Sequence, residues 1–148
     1  MTRTRSQAEL TRYIRSRLSA QLYDDSGDSP EGIAIYSLSD PRDLRQVRYI
    51  GQTAVPRRRL LQHLSTARLW LPDQTPWWVT APRLRPLYRW IRELYQEEER
   101  LPVMVIWSWV ETAEARLAEQ EHIRACLAKE LPLLNIERAR LCGQTAWC

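Results

Sequence analysis

A chain of 148 residues with 44% hydrophobic content suffices for one compact core and falls short of two ordinary domains. No stretch approaches the ~20 apolar residues of a helical membrane span, and Met1-Thr2-Arg3-Thr4-Arg5 leads into polar sequence rather than a signal region. A cytoplasmic protein with no membrane partner is expected. The net charge of +4 is unevenly spread: from Arg42 to Arg92 a run of arginines meets only Asp43 and Asp73, which points to a polyanionic partner.

Cysteine usage excludes other classes. Cys126, Cys142 and Cys148 are odd in number and form no C-x-x-C pair, so neither a disulfide framework nor a structural zinc site is expected. Cys126 reads as a small core residue and Cys148 as an exposed, oxidisable thiol.

In chain order, Leu10, Ile14, Leu18 and Leu22 recur every fourth residue and predict an amphipathic helix from Ser6 to Tyr23. Asp24-Asp25-Ser26-Gly27-Asp28-Ser29-Pro30 follows as a polar linker, so residues 1–31 form a helix and tether ahead of a domain spanning 32–148. Ile33, Ile35 and the run Val47 to Ile50 are β-formers. They are broken by Ser39-Asp40-Pro41, which predicts a hairpin with its turn there and with Tyr36 and Tyr49 as strand neighbours. Gly51 closes the second strand. Pro56 suits the first turn of a helix, because it lacks an N–H that the helix would leave unpaired. On that helix Arg59 and His63 share one face, while Leu60, Leu64 and Ala67 line another.

Residues from about 65 to 86 form an insertion carrying Trp70, Trp77 and Trp78 among prolines and arginines. Such tryptophans cover a core or stack on unpaired bases. Leu87 to Glu99 reads as a helix and Val103 to Val110 as a strand buried on both faces. Glu111 or Thr112 starts the last helix. At 100° per residue, Glu119 falls on one stripe with Ala115, Ile123 and Cys126, and Glu121 falls opposite with Arg124 and Ala128. A carboxylate on an apolar stripe needs a partner, and a bound cation is one.

Together these residues resemble the GIY-YIG nuclease family. Ala34-Ile35-Tyr36 and Tyr49-Ile50-Gly51 stand for the two boxes. Arg59 and His63 fall where the family has its catalytic arginine and a following histidine or tyrosine. Glu119 with Ile123, then Asn135 after Leu131-Pro132-Leu133-Leu134, match the second half. The likeness covers Ile33 to Asn135. The first box opens on Ala34 instead of glycine, the alternative register Gly32-Ile33-Ala34 contains no tyrosine, and Gln52 stands where some relatives carry lysine.

The resemblance implies an α+β fold with a small antiparallel three-stranded sheet flanked by helices, here with an extra N-terminal helix. It implies an endonuclease hydrolysing phosphodiester bonds, DNA ahead of RNA, with Mg²⁺ or Mn²⁺ on Glu119 and Arg59 on the non-bridging oxygens. Tyr49 would activate water with Tyr36 beside it and His63 as relay or alternative base, and Asn135 would hydrogen-bond across the site. Arg57, Arg58, Arg68, Arg83 and Arg85 would hold the nucleic-acid backbone. A non-catalytic binding module and a partner-controlled nuclease toxin or subunit are the alternatives, and pairing with a second copy or another protein stays open.

Overall fold

The first helix begins at its sequence cap. The Ser6 hydroxyl accepts from the Glu9 amide at 3.2 Å and opens α1 (Gln7–Arg17), satisfying one amide that a helix start leaves unpaired. In this computed structural model, which describes residues 6–69 and 85–135, the helix stops short of its expected end. The chain passes through a 3-10 turn at Leu18–Gln21 into a short strand, β1 (Leu22–Asp24). Leu10, Ile14 and Leu18 are buried as their spacing requires. Leu22 instead enters the sheet, since β1 pairs in parallel with β4 (Val103–Val110). Gln21 fixes that turn by donating to the Leu101 and Pro102 carbonyls at 2.9 and 3.2 Å.

The polar stretch that follows is sewn to the same strand. The Asp25 amide donates to the Ile106 carbonyl at 2.9 Å, the Trp109 indole N–H to Asp24 at 3.0 Å, and the Trp109 amide to Asp28 at 3.2 Å. Its acidic side chains thus serve as acceptors along the sheet.

The expected hairpin forms from β2 (Ile33–Asp40) and β3 (Asp43–Thr53), but its turn is Pro41-Arg42 rather than Ser39-Asp40-Pro41. Asp40 is the reason. Its carboxylate accepts from the Arg42 amide at 2.9 Å and from the Arg42 guanidinium at 2.9 and 2.7 Å, pinning the turn one step later. Irregular register around Ser39 absorbs the difference.

The sheet has the order β1-β4-β2-β3 and is mixed, because β1 is parallel to β4 while the β4-β2 and β2-β3 pairs are antiparallel. It is therefore four-stranded, not the antiparallel three-stranded sheet expected, and the α+β class stands. β4 lies between β1 and β2, and the burial expected on both its faces holds for Val103–Ile106 while Trp107 is 37% exposed.

One face packs on α1, α2 (Pro56–Thr66) and α3 (Arg85–Glu98), joining Leu10, Ile14, Leu60, Leu64, Ile91 and Leu94 to Ala34, Tyr36 and Leu38. The N-terminal helix is thus part of this core. The other face packs on α4 (Thr112–Ala128), where Ile35 and Ile50 meet Ala115, Ile123 and Leu127. Each such fully buried aliphatic side chain contributes about 1.5–3 kcal/mol.

Arg92 was expected on the basic face, yet it is only 1% exposed. Its guanidinium donates to the Ala67 and Arg68 carbonyls at 3.0 and 2.6 Å, closing the end of α2 where backbone acceptors lack helical partners. Among the described residues, no helix is long and apolar enough to cross a membrane.

Candidate active site

Residues from β2, β3, α2 and α3 converge on the face of the hairpin that α2 and α3 cover. Tyr36 pairs across the strands with Gly51, and Tyr49 pairs with Leu38. The two tyrosines are therefore diagonal neighbours rather than direct partners, with ring centroids 6.3 Å apart. Gly51 has a steric reason to be glycine. A Cβ there would lie 2.5 Å from the Tyr36 ring and hydroxyl, so the phenol lies flat over β3 only because that position is bare.

Helix α2 then supplies the imidazole. His63 is 1% exposed, and its Nε2 is 2.7 Å from the Tyr36 hydroxyl. Three tyrosines surround the ring: Tyr49 edge-on at 5.4 Å, Tyr36 at 6.0 Å and Tyr88 at 6.3 Å between centroids. The direct bond goes to Tyr36, and Tyr49 makes only ring contact.

Electrostatics fix the protonation states. Burial, with the Arg59 guanidinium adding its charge, pushes the His63 pKa down to about 3, so the imidazole is neutral near pH 7, and its tautomer decides which partner donates in the Tyr36 contact. Burial also raises the Tyr36 phenol well above its ordinary range, with Tyr49 adding to the rise and Arg59 opposing it. Tyr49 is raised by burial, opposed by Arg59 and reinforced by Glu119. Both phenols are thus neutral donors, and Arg59 is the cation that favours their ionised forms. Arg59 also donates to Gln62 at 3.4 Å, which steadies it along α2.

Glu119 comes from α4. Its helix face is as expected: Ala115 and Ile123 are buried, Glu119 and Cys126 are half-buried, and Glu121, Arg124 and Ala128 are exposed. Its Oε2 accepts from the Gln52 amide at 2.7 Å, and its charge acts on both Tyr36 and Tyr49. Among the described residues no group of three or more His, Cys, Asp or Glu gathers into a metal cage. A single carboxylate nonetheless suits Mg²⁺, which keeps several waters and is commonly held by one or two carboxylates plus substrate phosphate.

Asn135 reaches β3 but not the tyrosines. Its Oδ1 accepts from the Ile50 amide at 2.9 Å and its Nδ2 donates to the Ile50 carbonyl at 2.6 Å. With the Leu134 amide on the Arg48 carbonyl at 2.6 Å, it clips the chain to the strand at the middle residue of the second box, Ile50, and just before it.

The arginines divide by environment. Arg57, Arg58, Arg68 and Arg89 are exposed. Arg42 is bound by Asp40 and Glu98, Arg45 by Asp43, and Arg48 lies over the Trp90 ring at 5.3 Å. Arg85 begins α3, while Arg83, Trp70, Trp77, Trp78, Cys142 and Cys148 lie outside the described residues.

Two participants escaped the sequence. Gln52 is the partner of Glu119, and Tyr88 touches His63 from α3. No fixed spacing ties Tyr88 to the boxes, because the insertion intervenes. Gln52, next to Gly51, could have been proposed as an amide donor. Comparison with models of known protein families, with curated proteins and with solved structures finds no match.

Proposed function

We propose that this chain is a metal-dependent nuclease of the GIY-YIG type. The observation that carries the reading is the Tyr36–His63 hydrogen bond at 2.7 Å, set beside Tyr49 and Arg59 and within the field of Glu119. Buried tyrosine hydroxyls raised by desolvation and bonded to a neutral imidazole are costly to assemble for packing alone. Phosphodiester hydrolysis needs a proton acceptor, a cation on the phosphoryl oxygens and relief of charge on the leaving oxygen, and this set supplies all three.

The arrangement assigns roles. Arg59 holds the non-bridging oxygens. Tyr49, the more open phenol, orients the water. As the water oxygen bonds phosphorus and the bond to the leaving oxygen breaks, the water proton passes to the Tyr36 oxygen and the Tyr36 proton passes to His63 Nε2. Phosphate bound to Arg59 offsets the positive charge that helps depress His63, so substrate itself makes the imidazole a better acceptor. Glu119 would hold a divalent cation, which supplies Lewis acidity and stabilises the leaving oxygen. Arg57, Arg58 and Arg68 offer exposed charge for the backbone of a nucleic acid, with DNA the first candidate.

The test is incubation of the purified protein with supercoiled plasmid, branched DNA and RNA, with and without Mg²⁺. Nicking that requires the metal, and is lost in Glu119→Gln while binding persists, is the expected result. Binding without cleavage by the wild type under every condition would favour the non-catalytic module. Equal cutting by Glu119→Gln would remove the carboxylate from the mechanism.

A further inference from the structure

His63 has two ring nitrogens, and only one faces Tyr36. The other, Nδ1, is 3.4 Å from the hydroxyl of Tyr88 on α3. Tyr88 is 4% exposed, so its hydroxyl meets protein groups rather than bulk water. A neutral imidazole carries one N–H, and the partner of one nitrogen decides what the other can do. In water the Nε2–H form is the commoner one. Left to that preference, Nε2 would donate to Tyr36 and could take no proton from it.

We propose that Tyr88 is a positioning residue: its hydroxyl accepts the Nδ1–H of His63, which fixes the tautomer whose bare Nε2 accepts from Tyr36. The hydrogen bonds then run in one direction, from Tyr36 to His63 to Tyr88. Reversing the His63 tautomer would turn the Tyr36 O–H away from Nε2 and oblige this phenol, 1% exposed, to find another acceptor. Geometry supports the same direction, since the shorter contact is the one in which a phenol donates to a bare nitrogen.

The catalytic use of this tautomer rests on the nuclease reading, whereas the tautomer itself does not. Nitrogen-15 spectra of imidazole-labelled protein at neutral pH read it without any substrate. The chain has only 2 histidines, and a His122→Gln sample assigns them. The expected result is a protonated Nδ1 and a bare Nε2 on His63 in the wild type, with conversion toward Nε2–H in Tyr88→Phe, which keeps the ring and deletes only the hydroxyl. A wild-type His63 protonated at Nε2, or a tautomer unchanged by Tyr88→Phe with its melting temperature retained, overturns the proposal. If nucleic acid is cleaved, Tyr88→Phe should also slow single-turnover cleavage at least about tenfold, within the range a misplaced general base costs. Should wild-type protein cleave nothing while the spectra come out as expected, the nuclease reading fails and the assignment of Tyr88 stands.

Discussion

Acidification from pH 7 to pH 5 should weaken the fold through His63. Burial and the neighbouring Arg59 charge hold its pKa at about 3 in the folded chain, against 6.5 for an ordinary histidine. Between those two values the unfolded chain binds a proton that the folded chain refuses. Stability is therefore complete above about pH 6.5 and falls as pH drops toward 3, by roughly 1.4 kcal/mol per unit in the middle of that window. At pH 5 the loss amounts to about 2 kcal/mol. Urea denaturation at pH 7 and pH 5, with constant m-value, measures it. His63→Gln, which keeps an amide for Tyr36 but cannot titrate, should lose markedly less between the two pH values. His122, also depressed by burial, contributes in both proteins and cancels in the difference, and the depressed carboxylates Asp24, Asp40 and Asp43 titrate below this range. An equal loss in both proteins would refute the reasoning, as would a His63 titration midpoint near 6.5.

Gly51→Ala should cost about 1–3 kcal/mol, the range for overpacking a filled core, and should displace the Tyr36 hydroxyl from His63; melting curves and the His63 Nε2 shift check both. Asn135→Ala leaves the Ile50 amide and carbonyl without side-chain partners at a position only 8% exposed, so a loss of about 1–3 kcal/mol is expected by chemical denaturation. Arg57→Ala and Arg58→Ala should weaken nucleic-acid binding and reduce its salt slope by about 1 each. Arg92→Met should instead lower the melting temperature, through the stranded Ala67 and Arg68 carbonyls, while leaving that slope unchanged.

The parts of the fold visible in the sequence are those with local punctuation. Pro56 marked the start of α2, and the step from Val110 to Glu111 marked the start of α4. A run of apolar residues broken only by Ser108 identified β4. What escaped depended on distant partners. Leu22 continues the spacing of Leu10, Ile14 and Leu18, and only the edge of β4, far along the chain, turns it into a strand. Arg92 reads as one more cation until the end of α2 is placed against it. The site shows the same division. Tyr36, Tyr49, Arg59 and His63 lie close in sequence around the hairpin and helix, and the fold brings them together. Glu119 was separated from Glu121 by helix phase alone. Tyr88 and Gln52 act through contacts that no local pattern encodes.

The clip at Leu134 and Asn135 also bears on how the chain avoids sticking to its own copies. A sheet ending in a long strand offers a row of unused amides and carbonyls to any passing chain. At one border, β1 is too short and too acidic to be an attractive template. At the other, β3 runs from Asp43 to Thr53, and its middle is occupied by groups that lie more than eighty residues later in the chain, as the Ile50–Asn135 pair shows. During synthesis this strand, which carries the second tyrosine and the indispensable glycine, is made early and shielded late. Until residue 135 has emerged, the margin of the proposed catalytic strand is open to neighbours, and a chain cut before Leu134 keeps it so.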